Sequence, residues 1–491
     1  MNPASAVGES SASRAPAWTQ ALVIGLLVLA AALRLPGLFM DFWLDEVWSH
    51  YLVRDLTSPI EVATSVHSAT NHWLTAAWIQ VLGPGQPIWI YRLPSFLAGL
   101  ACVLAAGALA RALASRSTAT CASLCAMALA ATNFSLINYS TEARGYSLLA
   151  LSGLGASLCL LRYEQQQGPW RRAGYWLCMS AALMAHLMAT QFLLSCVVYS
   201  LCVRGIRPAG LVKVATTHGP PLAFLVLVVA IDVAHFQKLV PPPTDIRSGT
   251  AELAAMCLGL PARGWGAVPG VLLTAALLAL LTAQGLRGLG AGSPARADRS
   301  WWLLPALNLA VIPVLLIVGL RLPAFFARYC IAGVALFQVA LAVWLAAQLG
   351  AGGRKAVLAV ALLVVVTAAN ARQWAAFQAD GRGHYEAALE AILQDSGDAP
   401  ITVASDDDFQ ILMVVNFHRE YLPELHARMT YRQRAADEQQ RADWRIVHSH
   451  DVTAQPSERL TLEDGTRYVL RGTYPSSWIS GMPWFVYRRE G

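Results

Sequence analysis

The stretch Phe39-Met-Asp-Phe-Trp-Leu-Asp-Glu-Val-Trp-Ser49 stands directly after an apolar run, Trp18 to Leu38, that is long enough to cross a bilayer. Its three carboxylates, Asp41, Asp45 and Glu46, are set among Phe39, Phe42, Trp43 and Trp48. Aromatic side chains settle at membrane–water boundaries, so the stretch reads as acids held at that boundary by an aromatic belt. Acids at a helix end can do no more than solvate it. Here, however, a polar segment carrying His50, Glu61, His67, Asn71 and His72 follows before the chain turns apolar again. Carboxylates beside a bilayer are costly to keep, and this concentration of them is the pattern of a site.

The remaining sequence agrees with a membrane setting. The 491 residues are 56% hydrophobic and 13% charged, and the mean hydropathy is +0.46. A soluble domain of this size does not have that composition; a polytopic α-helical membrane protein does. Eighteen of the 30 acidic residues but only 13 of the 36 basic ones follow Asn370, which separates a membrane part from a water-soluble tail. Three regions result: a disordered cytoplasmic N-terminus (1–17), a transmembrane domain (18–370) and a small C-terminal α/β domain (371–491). The first apolar run is too long for a signal-peptide core and lacks a small-residue cleavage site, so it stays as an anchor. The net charge of +6 reports topology, and no nucleic-acid signature is present. All nine cysteines precede the tail, none in a metal-ligand spacing, and they read as small buried thiols between helices.

Beyond the first span, apolar runs fall near 93–110, 118–138, 146–161, 174–188, 190–203, 214–232, 267–286, 301–320, 329–348 and 356–370, giving about eleven spans. The run 174–203 is split at His186, because leaving it whole puts Arg204, Arg207 and Lys213 on the wrong side. With a cytoplasmic N-terminus, the short inner segments hold 14 of the 36 Lys and Arg, with Glu9, Glu164 and Asp298 as their only acids. The positive-inside rule selects this orientation. It places loops 41–85, 133–145 and 233–266 and the whole tail on the outer side.

In the tail, a helix is expected near 383–395, a strand at Pro400–Ala404, a helix over 407–418, and strands at Trp444–His448, Arg467–Arg471 and Trp484–Tyr487. Asp406-Asp407-Asp408 opens the second of these helices, where carboxylates favour the helix dipole, so it reads as a cap rather than a metal site.

The second outer loop, Asn138-Tyr-Ser-Thr-Glu-Ala-Arg-Gly-Tyr-Ser147, again puts an acid, Glu142, and a guanidinium, Arg144, where a membrane helix begins. Glu142 can pair with Arg144 or cap that helix. Two separate outer loops presenting acids to the membrane surface point instead to one interfacial site. Such a site can polarise a hydroxyl with a carboxylate and hold a lipid-linked phosphate with Arg or His.

Several motifs then fall in a familiar order. They are Asp45-Glu46 after the first span, Tyr91-Arg-Leu-Pro-Ser95, Glu142-Ala-Arg-Gly-Tyr146, Ala185-His186-Leu187 and Arg328-Tyr329. Together they resemble membrane glycosyltransferases of the GT-C superfamily, in the bacterial branch similar to protein O-mannosyltransferases and lipid A aminoarabinose transferases (glycosyltransferase family 39-like). The resemblance covers roughly residues 18–370 and departs from the commoner pattern around Asn71-His72-Trp73. It implies a polyprenyl-phosphate-linked sugar donor, an extracytoplasmic lipid, glycan or protein acceptor, and residence in a bacterial plasma (inner) membrane. It assigns Asp45 as general base, with Glu46 and Glu142 as the other catalytic acids. Donor phosphate and substrate binding fall to His72, Arg92, Arg144, Tyr146, His186 and Arg328. A divalent cation at Asp45 and Glu46 is left open, with no sequence pattern of its own.

Two other classes compete. A transporter or flippase would line a pathway with its charges, but here they gather at one interface, few lie mid-span, and no inverted repeat is visible. A non-catalytic scaffold would keep the fold while its tail binds a partner.

Overall fold

The computed structural model describes residues 16–54, 56, 61, 72–234, 245–290, 295–320 and 325–490. Most of the N-terminal segment expected to be disordered, together with His67 and Asn71, lies outside the described residues.

The first apolar run forms α1 (Ala17–Arg34), and the outer stretch after it folds as α2 (Leu44–Arg54) and α3 (Trp73–Leu82). Then come α4 (Ile88–Leu113), α5 (Ala119–Thr132), the short α6 (Phe134–Tyr139) and α7 (Tyr146–Gln165). They are followed by α8 (Pro169–Ala185), α9 (Ala189–Arg204), α10 (Pro208–Ala234), α11 (Ile246–Leu258) and α12 (Ala267–Leu289). An irregular helical run over 295–320 contains a π-turn at Leu307–Val311, and α13 (Ile331–Ala351) and α14 (Gly353–Asp380) close the bundle. Among the described residues, seven helical segments are long and apolar enough to cross a membrane, and four further apolar helices are shorter. The apolar stretch of α13 is 89% buried, which makes it the central post, whereas that of α14 is only 17% buried and turns its apolar side outward.

Two breaks in the bundle shape the outer face. The run expected over 118–138 is cut at Asn133, whose side chain accepts from Leu136 N (3.0 Å) and donates to Met256 O (2.9 Å). Asn370 Oδ1 takes the amide of Phe134 (2.8 Å). Buried backbone donors freed by ending one helix must find new acceptors, and these two asparagines supply them. The second break is at His186, where α8 ends and the backbone turns extended before α9.

The tail forms α15 (Tyr385–Asp395), β1 (Ile401–Ser405), α16 (Asp408–Glu420), β2 (Met429–Tyr431), β3 (Trp444–His448), β4 (Arg459–Thr461), β5 (Arg467–Tyr474) and β6 (Trp484–Arg489). The six strands make one sheet in the order β2-β1-β3-β6-β5-β4, with β1 parallel to β2 and β3 and the remaining pairs antiparallel. Strands β2 and β4, three residues each, are too short to show a sequence pattern. Asp407 caps α16 by accepting from the amides of Phe409 and Gln410. The architecture is therefore a polytopic α-helical membrane protein carrying a small C-terminal α/β domain.

The first outer stretch is clamped between the two parts. Trp43 is buried in the core of the α/β domain, among Tyr385, Trp444 and Trp484. Phe42 stacks on Phe417 (5.1 Å), and its carbonyl accepts from His418 Nε2 (2.8 Å). Asp41 Oδ2 accepts the amide of Glu386 (2.9 Å) in the first turn of α15, so this acid caps a helix of the tail rather than its own. Below, Gly381-Arg382-Gly383 leaves α14. Gly381 (φ 58°) and Gly383 (φ 138°) adopt backbone conformations that favour glycine, and a Cβ on Gly383 would meet the Tyr385 ring at 2.2 Å.

Candidate functional site at the outer interface

Asp45 and Glu46 lie in the first turn of α2, where the helix dipole favours carboxylates. A helix sends consecutive side chains about 100° apart, and the two acids go to different partners. Glu46 is fully buried and forms a bidentate pair with Arg92, Nε to Oε1 at 2.8 Å and Nη2 to Oε2 at 2.7 Å. It also accepts the amide of Ala143 (2.6 Å). Arg92 spends its remaining donors on the carbonyls of Gly37, Leu38, Met40 and Asp41. This pair therefore folds the first outer stretch over α4 and leaves Arg92 no donor for a ligand.

Asp45 faces the other way. Its Oδ2 lies 3.1 Å from Arg328 Nη1 and 3.6 Å from Arg144 Nη2. Arg144 Nη1 also donates to the Asp45 carbonyl (2.8 Å) and to Ser49 Oγ (2.9 Å), fixing the guanidinium against the start of α2. Arg328 spreads over the rings of Phe326, Tyr329 and Trp43 at 5.1, 5.8 and 5.7 Å. Because guanidinium groups surround Asp45 and Arg92 occupies Glu46, the two neighbouring acids do not converge as a joint cation site. Among the described residues no cluster of three His, Cys, Asp or Glu side chains could hold a metal.

The histidines and Tyr146 stand beside this charge cluster. The ring of His72 is 4.6 Å from that of His186 and 5.2 Å from Tyr146; His186 lies 5.2 Å from Tyr146 and 5.4 Å from Tyr329. His72 Nδ1 accepts from Gly145 N (2.8 Å) and His186 Nδ1 from Met188 N (3.1 Å). These bonds place any ring proton of the neutral forms on Nε2. Burial, then the nearby Arg144, holds the His72 pKa well below its ordinary value and brings that of His186 down to about 3. Both rings are neutral Nε2–H donors at physiological pH. Gly145 is required here: a Cβ on it would come within 2.0 Å of the Ala185 carbonyl and 2.9 Å of His72 Nδ1.

Glu142 is fully buried one layer away, bonded by Asn138 Nδ2 (3.1 Å) and facing Arg382 Nε at 3.8 Å rather than Arg144. Burial pushes its carboxyl up to about 7, with Arg382 opposing. Glu142 Oε2 and the Tyr146 hydroxyl are buried with no hydrogen-bond partner among the described residues. Buried polar atoms rarely stay unpaired, so both are candidates to meet a ligand or water.

A cavity of about 190 Å³ opens beside Arg328, lined by Trp43, Tyr139, Glu252, Phe326 and Trp478 among others. It adjoins an outer groove of about 560 Å³ between α11 and the loop after β3, where Arg247, Glu252, Arg263, His450 and Asp451 line the wall. The structure thus brings together Asp45, Arg144, Arg328, His72, Tyr146 and His186, and sets Glu46, Arg92 and Glu142 behind them. Sequence reasoning did not assign Trp43, Tyr139, Glu252 or Arg382 to the site. For Arg382 a signal existed, an arginine between two glycines directly after the last span; Glu252 had none.

Fold and site together define a polytopic helical membrane protein with a positively biased polar site at one end of its helix bundle, roofed by an α/β domain. No family model matches the chain, and no curated protein matches it. Among solved structures, the chain is similar to ArnT from Cupriavidus metallidurans in the apo state, with 13% identity and a TM-score of 0.49 over 96% of this chain and 97% of that one. It is similar to the archaeal oligosaccharyltransferase AglB from Archaeoglobus fulgidus, in complex with an inhibitory peptide and a dolichol-phosphate, with 11% identity, a TM-score of 0.46 and coverage of 88% and 69%. It is also similar to the arabinofuranosyltransferase AftD from Mycobacteria, with 15% identity, a TM-score of 0.43 and coverage of 96% and 41%.

Proposed function

We propose that this chain is a membrane glycosyltransferase that moves a sugar from a polyprenyl-phosphate donor to an extracytoplasmic acceptor. The observation that carries the reading is the single carboxylate of Asp45 held between two guanidiniums, Arg328 at 3.1 Å and Arg144 at 3.6 Å. One acid against two cations, with neutral histidines beside them, leaves net positive charge in a partly desolvated wall. A phosphate group would neutralise that excess, and guanidinium groups bind phosphate in a bidentate manner. The sequence resemblance supports the same reading.

In this mechanism Arg144 and Arg328 hold the donor phosphate, with His72 and His186 as neutral donors nearby. The acceptor hydroxyl oxygen attacks the anomeric carbon as its proton passes to Asp45, and the bond from that carbon to the phosphate oxygen breaks. The charge that develops on the departing polyprenyl phosphate is met by the two guanidiniums. Glu46 and Arg92 hold α2 in place and take no part in the bond changes.

The test is sugar transfer by purified protein in nanodiscs from synthetic undecaprenyl-phosphate hexoses and pentoses. Asp45→Asn keeps the shape of the side chain but cannot take a proton, so turnover is expected to fall by roughly 10²–10⁴ with unchanged thermal unfolding. Asp41→Asn, which touches α15 instead, is expected to lose far less. A folded Asp45→Asn protein with near wild-type turnover would remove Asp45 from the mechanism.

A further inference from the structure

Glu252 lies on α11, in the wall shared by the inner cavity and the outer groove. It is half-buried, and among the described residues no hydrogen bond or ion pair engages its carboxylate. Burial raises its pKa, while the charges of Arg263 and Arg328 oppose that rise. A carboxylate that is partly desolvated, lines two adjoining cavities and has no hydrogen bond or ion pair among the described residues is unusual in a structural role, because the longer-range attraction of the two arginines leaves its hydrogen-bonding capacity unused.

The surroundings indicate what it meets. The outer groove presents Arg247, Ser248, Arg263, His450 and Asp451 with only small apolar side chains between them, so it suits a hydrophilic group and not an acyl chain. Further in, Trp43, Tyr139, Phe326 and Trp478 offer aromatic surface on the way to Arg328. Hydrogen-bonding carboxylates beside aromatic faces match a sugar ring, which shows hydroxyl donors at its rim and C–H groups on its faces.

We propose that Glu252 is a specificity-determining residue for the acceptor, and that the acceptor enters between α11 and the loop after β3 as a saccharide whose hydroxyls donate to this carboxylate. This inference rests on the glycosyltransferase reading of the Asp45 site.

Two binding measurements on the full-length protein in nanodiscs separate the two ideas. Undecaprenyl phosphate probes the donor side, and maltotriose, cellotriose and chitotriose probe the acceptor side, with a neutral hexapeptide as control. Saccharide binding is read by saturation-transfer NMR and by quenching of tryptophan fluorescence. At least one trisaccharide is expected to bind the wild type, and Glu252→Gln is expected to weaken it about tenfold, as for a lost hydrogen bond to a charged group. The same variant should change undecaprenyl phosphate binding far less, and thermal unfolding confirms its fold. Arg328→Ala should show the reverse pattern. No trisaccharide binding at saturation, equal binding to wild type and Glu252→Gln, or binding of the peptide alone would overturn the saccharide proposal. Loss of the Arg328 effect on undecaprenyl phosphate would instead count against the donor reading.

Discussion

Arg144 and Arg328 share one carboxylate but are anchored differently, and that difference predicts different mutant behaviour. Arg144 holds α2 through the Asp45 carbonyl and Ser49, while Arg328 is held by ring faces and by the Asp45 carboxylate. A charged bidentate contact to phosphate is worth about 1.5–3 kcal/mol. Alanine at either position is therefore expected to weaken undecaprenyl phosphate binding by roughly ten- to a hundredfold, with lysine restoring only part of it because an ammonium is a point charge. Arg144→Ala should also lower the thermal midpoint more than Arg328→Ala. Titration of each variant with undecaprenyl phosphate checks the first point, and equal affinities for the Ala and Lys proteins would contradict a bidentate contact.

At the scale of elements, the first outer stretch stays in place because α16 of the tail reaches down to it. His418 is buried, with Nε2 on the Phe42 carbonyl and Nδ1 3.2 Å from Glu386 Oε1. Burial works against its charged form, but the hydrogen bond to Glu386 and the charges of Asp41 and Glu386 outweigh it, and its pKa is raised from 6.5. The folded chain thus holds this proton more tightly than the unfolded chain. Its stabilising contribution is full below 6.5 and is lost as the pH rises through the raised folded value. The thermal midpoint of the wild type should therefore fall relative to that of His418→Gln as the pH is taken from about 6 to about 8. Parallel curves for the two proteins would remove this contact from the clamp. The helix breaks at Asn133 and His186 belong to the same scale. The His186 break was legible from the charge pattern, because an unbroken run would have misplaced a basic loop. The Asn133 break was not, because its acceptors come from α11 and α14, far away in sequence.

For the whole molecule, every group of the proposed site lies at one end of the helix bundle, beneath the α/β domain. From the charge count we propose that this end lies outside the cytoplasm. A reporter inserted in the exposed turn at Asp464-Gly465 is expected to read as extracytoplasmic, and one at Arg171 as cytoplasmic. A cytoplasmic reading for the tail would put donor and acceptor groups in the wrong compartment and would count against the proposed reaction. The two halves are joined by polar contacts as well as apolar packing. Arg382 donates to Gly37 O (3.1 Å) and Thr141 Oγ1 (2.9 Å), and Trp478 Nε1 to Gln373 Oε1 (3.0 Å).

The sequence by itself determined the membrane class, the positions of the apolar helices, the α/β character of the tail and the acids and arginines of the two outer loops. These follow from composition, run length and local charge, which need no knowledge of distant neighbours. Only the tertiary structure decided which partner each of those charges meets. Asp45 and Glu46 are adjacent in sequence and equal in type, yet Arg92 takes one into the fold while Arg144 and Arg328 hold the other. Glu142, paired on paper with Arg144, meets Arg382 from beyond the last span. Glu252, silent in sequence, became a candidate because the fold left it half-buried beside the cavity at Arg328, with no hydrogen bond or ion pair among the described residues. The reason is the same in each case: a charge in a low-dielectric setting is defined by the partner that reaches it, and that partner comes from a remote part of the chain.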